Sequence, residues 1–515
     1  MNIAFIPIDN RPVCYTLPEQ VCAINSSINL FMPERKYLGS LTKYADVDKI
    51  FEWLEKIPQV DAIVMCLDTV AYGGLISSRR CPDTFDEIKN RVENLKSILA
   101  KKNAKIYAFS SIMRISNNNV NEEEKEYWDK WGKKIFDYSY QTHKLGTESC
   151  ISNIIPSEIL DDYLATRKRN FEINKLYLEY QKQGLFDTLV FSKDDCAEYG
   201  FNVQEAQVLE KLGGFVKTGA DEIPLTLLAR AVVKFFDAKM QRCEDVKSFT
   251  EPVTQSRHCE CERSNSVNSK VVGRDYCLDD ETSLKISPIF LAPEYKDLIS
   301  NYEDVSIEKS VKGQLELAGC KVCEPDEADI LLYVNNFEDH QGEIVMKVPT
   351  KPFSKKWQRP EKPYMIADVR YANGADNEFV KQLFEVGLGD NFYGYSAWNT
   401  SANSLGSLIC GAVVKYYGFK LQRCQDDNSK TVDRDYYPDN KNENFLKLQT
   451  IRFLDDWAYQ ANVRQELNSP DEKLVKEKMK PYEKMVFGLL GVAYNISYKF
   501  TWNRLFEVEI CILSN

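Results

Sequence analysis

The sequence predicts a parallel α/β protein of two lobes, and three observations carry that expectation. Mostly apolar runs of four to seven residues recur along the chain, each ending in polar residues and meeting a helix-period stretch. Strands buried on both faces by crossover helices read this way. Ten such runs are present, more than the eight that one modified (β/α) barrel, the competing architecture, would use. The runs also fall into two series, separated by a polar segment at 243–286 that is poor in core residues.

The elements follow in order. A first α/β lobe, 1–242, takes the runs 3–8, 28–32, 62–67, 106–111, 188–192 and 215–218, with helical stretches such as 46–56 and 82–101 between them. Residues 243–286 are expected to be a connector or insertion. A second α/β lobe, 287–421, takes the runs 288–291, 330–335, 364–369 and 392–397, and 422–443 is a second polar connector. From 444 to 515 the period is helical, through Phe445, Leu446, Leu448, Ile451, Phe453, Leu454 and Trp457, so a C-terminal helical tail packed on the core is expected. A short repeat links the two lobes. Segment 231–243 matches 412–424 and segment 269–276 matches 429–436, at offsets of 181 and 160 residues, so the first copy holds 21 more residues. Identity is best in the polar part and fades toward the strands. That favours a copied connector over a duplicated fold.

Composition narrows the function classes. With 515 residues, 43% hydrophobic and 28% charged, the chain can bury a full core in two to four domains. Its net charge of −11 lacks the broad basic field that nucleic-acid binding needs. The longest strongly apolar run, 485–494, is about ten residues, too short to span a bilayer. The start has neither a basic n-region nor a small-residue cleavage site, so a cytoplasmic protein is expected. The 15 cysteines, an odd number with several in apolar runs (Cys22, Cys66, Cys410), fit that compartment. The one CxxC, Cys320 and Cys323, has no second pair at zinc spacing, and Cys259 and Cys261 lie in a polar stretch. The three histidines, His143, His258 and His340, form no HExxH or HxH pair, and no GxSxG elbow is present. A histidine-built metal site and a Ser-His-Asp triad are therefore disfavoured. Chemistry is expected to run on carboxylates.

Parallel sheets place ligands at the carboxyl ends of their strands, and those ends carry the candidate residues. In order they are Asp9 and Arg11; Asp68, then Gly73 and Gly74; Ser110, Ser111 and Arg114; Asp194 and Asp195; Asp221 and Glu222; Asn335 and Asn336; Asp368, Arg370 and Asn373; and Trp398, Asn399 and Asn403. One such end is commonly a helix N-cap or a turn residue. The series of carboxylates, amides, arginines and aromatics suits a polyhydroxylated ligand and carboxylate acid/base catalysis. Asp194 and Asp195 are the sharpest element, since two nearby carboxylates push one pKa up and let one act as acid while the other stays charged. Asp221 and Glu222 come next, with Asp221 also a candidate N-cap and Glu222 a residue facing a helix dipole. Asp9 with Arg11 and Asp368 with Arg370 are equally well explained as ion pairs. Trp398 is either a core lid or a sugar platform. Arg167, Asn170 and Asn174 share one polar helix face, the usual mark of a solvated side.

The segments IPIDNRP (6–12), LDTVAYGGLISSR (67–79), KIYAFSSIMR (105–114), KDDCAEYGFN (193–202), TGADEIPLTLLAR (218–230), DVRYANGAD (368–376) and AWNTSANSLG (397–406) resemble the bacterial family called domain of unknown function 4127, over about 1–240 and 285–470. The resemblance implies that the strand-end residues form one site and implies no activity. The adjacent aspartates are also similar to the Asp-Asp pair of bacterial O-GlcNAcases, which would make Asp195 the general acid and Asp194 the group that orients and charges the reacting centre.

The leading expectation is a cytosolic glycosidase or related carbohydrate-active hydrolase. Asp194, Asp195, Asp221 and Glu222 would be catalytic. Asp9, Arg11, Asp68, Arg114, Asp368, Arg370, Asn373, Trp398, Asn399 and Asn403 would bind the substrate, a small molecule of the sugar class. No cofactor or metal is called for, and no nucleic-acid or membrane partner. Two competing expectations remain. One is a Mg²⁺- or Mn²⁺-dependent hydrolase of a phosphorylated small molecule, with Asp9, Asp68, Asp194, Asp195 and Asp368 as ligands. The other is a sugar- or metabolite-binding protein without catalysis.

Overall fold

A computed structural model describes residues 1–194, 196–250, 283–426 and 442–513. The candidate acid Asp195, together with His258, Cys259, Cys261 and the second part of each repeat copy (269–276 and 429–436), lies outside the described residues.

The first sheet is built from strands β1 (Asn2–Ile6), β2 (Asn29–Phe31), β3 (Ala62–Cys66), β4 (Lys105–Ser111), β5 (Thr188–Lys193) and β6 (Phe215–Thr218). They run in the order β2-β1-β3-β4-β5-β6, every neighbour parallel. Burial on both faces explains the continuous apolar composition: all five residues of β3 are buried. The chain steps outward from β1 to β2 and then crosses back to β3. The junction beside β1 is therefore a switch point, where a crevice opens at the strand carboxyl ends.

The second sheet takes β7 (Lys285–Phe290), β8 (Lys321–Val322), β9 (Ile330–Asn335), β11 (Tyr364–Asp368) and β13 (Phe392–Ser396), in the parallel order β13-β11-β9-β7-β8. Two-residue strands β10 (Gly342–Glu343) and β12 (Tyr371–Ala372) pair with each other as a separate small sheet. Both main sheets are open. The architecture is two parallel α/β sheets flanked by helices, and no barrel is closed.

Two long helices, Ile223–Thr250 and Ser401–Asp426, join the lobes; each follows the last strand of its sheet and runs past the 242 and 421 boundaries read from the sequence. They pack against one another. Gly406 permits the approach, since a Cβ there would stand 2.7 Å from the carbonyl oxygen of Glu222. The first part of the repeat lies on these helices. Phe236 and Tyr417 occupy equivalent repeat positions and stack on each other at 5.6 Å. The Tyr417 hydroxyl also donates to Asp237 Oδ1 at 2.5 Å. The copied segment therefore begins as buried helix, with Val232, Val233, Val413 and Val414 fully enclosed, and not as a connector.

The C-terminal region starts helical, with Glu443–Arg452, a π-helical stretch Phe453–Asn462 and a helix Glu472–Leu490. It then departs from the expected all-helical tail. β14 (Asn495–Phe500) and β15 (Val508–Leu513) form an antiparallel hairpin. Its alternating Ile496, Tyr498, Val508 and Ile510 are buried against the core. Among the described residues, no helix is long and apolar enough to cross a membrane.

Candidate active site

A cavity of about 450 Å³ lies between the lobes at the carboxyl ends of both sheets. The first lobe contributes Arg11 after β1, Leu75 and Ile76 from a short helix after β3, Arg114 after β4, Asp194 after β5 and Asp221 after β6. The second lobe contributes Tyr302, Asn373, Asn399 and Thr400. Arg464 and the hairpin turn with Arg504, Leu505 and Phe506 close the remaining side, and Glu122 and Glu123 stand on the rim.

Arg11 is the electrostatic centre of the first-lobe wall. Its Nε donates to Asp9 Oδ2 at 2.8 Å, Nη2 to Asp221 Oδ1 at 2.5 Å, and Nη1 to Asp221 Oδ2 at 3.2 Å and to Glu507 Oε1 at 3.0 Å. Trp502 lies against the guanidinium, its ring centroid 5.2 Å away. The loop after β1 makes this possible because the Arg11 amide also donates to Asp9 Oδ1 at 3.0 Å, folding the chain back on the aspartate. Burial opposes a charged arginine, yet Asp221 and Asp9 outweigh it and raise the Arg11 pKa well above its ordinary value. For the carboxylates the balance differs: burial outweighs the attraction of Arg11 and raises Asp9, and it pushes Glu507 up to about 7.

A second cluster holds the rim. Glu123 accepts from Arg114 Nη2 at 2.8 Å and from Arg504 Nη1 at 2.6 Å, while Glu124 accepts from Arg79 Nη1 at 2.5 Å and Arg114 Nε at 3.2 Å. Burial alone would raise the Glu123 carboxyl. The charges of Arg114, Arg79 and Arg504 win and hold it well below the usual carboxylate range.

Of the residues singled out from sequence, the cavity brings together Arg11, Arg114, Asp194, Asp221, Asn373 and Asn399. Asp9 stands behind Arg11 as its ion-pair partner. Asp68 is buried under Ser110 and Ser111, accepting from the Ser111 amide at 2.9 Å, and burial raises it to about 6. Glu222 faces neither a helix dipole at its own helix start nor the cavity. Its Oε2 accepts from the Ser407 amide at 2.6 Å, and burial pushes it up to about 8. Asp221 spends its carboxylate on Arg11 and not on capping. Asp368 is enclosed by Asn335, Tyr395 and the Asp376 amide at 2.8, 3.1 and 2.9 Å. Arg370 makes no pair with it. Its Nε donates to Asn335 Oδ1 at 3.1 Å and its Nη1 to the Lys351 carbonyl at 2.8 Å. Trp398 is a core lid, 3% exposed and edge-on to Phe506. Asn403 ties the second long helix to the β6 turn by accepting from the Ala220 amide at 3.3 Å. Arg167, expected on a solvated face, is buried and paired with Glu205 at 2.7 Å.

Among the lining residues that escaped sequence reasoning are Tyr302, Glu123, Arg464, Arg504 and Phe506. For the last two a signal existed. The runs 495–500 and 508–513 alternate apolar and polar residues about a polar turn, a hairpin pattern. Arg464 follows a π-helical stretch, where the 3.6-residue period that places a side chain on a face no longer holds.

A divalent ion would need converging carboxylates. Asp9, Asp68 and Asp368 are each committed to different protein partners, and no group of three or more His, Cys, Asp or Glu side chains among the described residues is arranged to hold a metal. The donor set expected for Mg²⁺ or Mn²⁺ is thus not assembled there.

No curated protein and no solved structure matches the chain. One family model covers residues 3–511, nearly all of it, and the chain belongs to that family, described as protein of unknown function DUF4127.

Proposed function

We propose that the chain is a carbohydrate-active hydrolase, a glycosidase that takes a small sugar substrate into the interlobe cavity and acts on it with carboxylates. One observation carries the reading: strand-end carboxylates of one sheet, Asp194 and Asp221, line the same cavity as strand-end amides of the other, Asn373 and Asn399. Carboxylates and amides together suit vicinal hydroxyls. The volume of about 450 Å³ falls within the ~300–1,000 Å³ of small-molecule sites. Phe506 supplies an apolar face for a sugar ring. In this scheme Asp194 orients and charges the reacting centre and its chain neighbour Asp195 is the proton donor. Asp221, held by Arg11, is the alternative nucleophile. A cytoplasmic setting accords with the ten described cysteines, none of which forms a disulfide.

The test is a panel of nitrophenyl glycosides offered to the intact chain and to Asp194→Asn, Asp195→Asn and Asp221→Asn, with and without EDTA. The expected result is turnover of at least one glycoside, unaffected by chelation, that falls about 10²- to 10⁴-fold in Asp195→Asn. Unimpaired turnover in both Asp194→Asn and Asp195→Asn overturns the assignment. Sugar binding without any turnover makes this a binding protein.

A further inference from the structure

The cations that line the cavity are not equivalent. Arg11 meets three carboxylates, Arg114 meets Glu123 and Glu124, and Arg504 meets Glu123. Arg464 has a different setting. It sits in the tight turn Val463–Glu466 that follows the π-helical stretch. Its Nη1 donates to the neutral Gln460 Oε1 at 2.8 Å, and its guanidinium lies 5.2 Å from the Phe506 ring centroid. No described carboxylate stands at ion-pair distance from it. Burial lowers its pKa from the usual arginine value, with Glu343, Asp455 and Glu507 acting only from farther off. A half-buried cation without an ion-pair partner is unfavourable, and a ligand that brings the anion to it relieves this.

We infer that Arg464 anchors a carboxylate carried by the substrate, so that the sugar class of this site is an acidic sugar such as a uronic acid. The inference rests on the reading of the cavity as a sugar site and names its substrate class. Two features favour a carboxylate over a phosphate. The anchor is a single guanidinium without an ion-pair partner, which matches one negative charge, and its planar fork takes the two oxygens of a carboxylate. Among the described residues no lysine lines the cavity. Phe506, stacked on Arg464, places the ring-binding face next to the anchor.

Calorimetric titration of the full chain with D-glucuronate, D-glucose and D-glucose 6-phosphate tests this without relying on turnover. The wild type is expected to prefer glucuronate to glucose at least tenfold. Arg464→Gln is expected to reduce that preference about ten- to hundredfold, the range for a hydrogen bond to a charged group. Arg464→Lys, which keeps the charge and loses the fork, should restore part of it. Far-ultraviolet circular dichroism checks that both variants are folded; the side-chain partners affected are Gln460 and Phe506. Equal binding of glucuronate and glucose, an undiminished preference in folded Arg464→Gln, tighter binding of glucose 6-phosphate, or no binding of any of the three overturns the inference. Binding of glucuronate through Arg464 with no cleavage of any glucuronide upholds the inference and removes the hydrolase. Cleavage of neutral glycosides with no binding of glucuronate does the reverse.

Discussion

The same three-residue pattern, Asp-x-Arg, follows a central strand in each lobe: Asp9 to Arg11 after β1 and Asp368 to Arg370 after β11. The outcomes are opposite. After β1 the aspartate and arginine pair with each other at 2.8 Å, and the arginine reaches on to Asp221 and Glu507. After β11 the two side chains part. Asp368 turns to Asn335, Tyr395 and a backbone amide, and Arg370 turns to Asn335 and a carbonyl oxygen. The neighbours decide. β1 is followed in space by carboxylates from β6 and from the C-terminal hairpin, so its arginine gathers charges. β11 lies beside β9, whose terminal Asn335 offers an amide donor to the acid and an amide oxygen to the arginine at once. One strand end becomes an ionic wall of the cavity; at the other, enclosed away from the cavity, the arginine comes no nearer to a carboxylate than 3.6 Å from Asp376 and 3.9 Å from Glu338.

The largest expected effect exploits that contrast. Arg11→Met leaves Asp9, Asp221 and Glu507 without the cation they share, and removing one partner of a buried ion pair costs about 3–5 kcal/mol. Arg370→Met instead strips hydrogen bonds from an amide and a carbonyl. Its Nε–Asp376 Oδ2 distance of 3.6 Å is its nearest approach to a carboxylate, so the expected cost is smaller, about 1–3 kcal/mol. Chemical denaturation of the two variants side by side gives the order. Equal losses, or a larger loss for Arg370→Met, would show that the two motifs are energetically alike.

The second effect sharpens the enclosed side. Burial, then repulsion from Asp376, raises Asp368 from 3.8 to about 7. Between those values the folded state holds a proton that the unfolded state has released. Its contribution is complete below about pH 4, falls as pH rises, and is lost above about pH 7. Asp368→Asn cannot titrate. Between pH 5 and pH 8 the stability advantage of wild type over Asp368→Asn should therefore be largest at pH 5 and shrink toward pH 8, by about 2–3 kcal/mol, the equivalent of about two pKa units. Measurement of both proteins across that range decides it; a gap that stays constant with pH places the raised carboxyl elsewhere.

How far the sequence discloses this arrangement depends on what burial leaves behind. Strands enclosed on both faces leave continuous apolar runs, so Ala62–Cys66 and Tyr364–Asp368 are legible as parallel strands and their polar ends as candidate ligand positions. Which ends meet in one cavity is not legible. Asp9 and Asp368 carry the same local pattern, and only the third dimension separates them. Glu222, next to Asp221 in the chain, faces the Ser407 amide because the close approach of the two long helices at Gly406 buries it. Arg464 is a single arginine in a region read as a helical tail, and nothing local distinguishes it from a solvated surface charge; Arg504 is legible only through the alternation that marks its hairpin.

The smallest expected effect lies on the hairpin that covers the ionic wall. Trp502 adopts a left-handed backbone (φ 56°), which a bulky residue takes only where its surroundings hold it. Three contacts hold it here: its indole Nε1 donates to Asn10 Oδ1 at 2.8 Å, and its ring faces Arg11 and Arg504, whose guanidinium carbons lie 5.2 and 4.7 Å from the centroid. Trp502→Phe keeps an aromatic ring beside the guanidinium and removes the indole donor. Asn10 is partly exposed, so water can take the vacated acceptor, and the expected cost is about 0.5–1.5 kcal/mol. Among the described residues no counterpart of this hairpin covers Arg370, whose aromatic neighbour, Phe353, comes from its own lobe. If the Arg11 cluster depends on the C-terminal hairpin, Trp502→Phe combined with Arg11→Met should cost less than the sum of the two single losses, because the contacts are shared. Strict additivity in that double-mutant cycle would mean that the hairpin covers the wall without holding it.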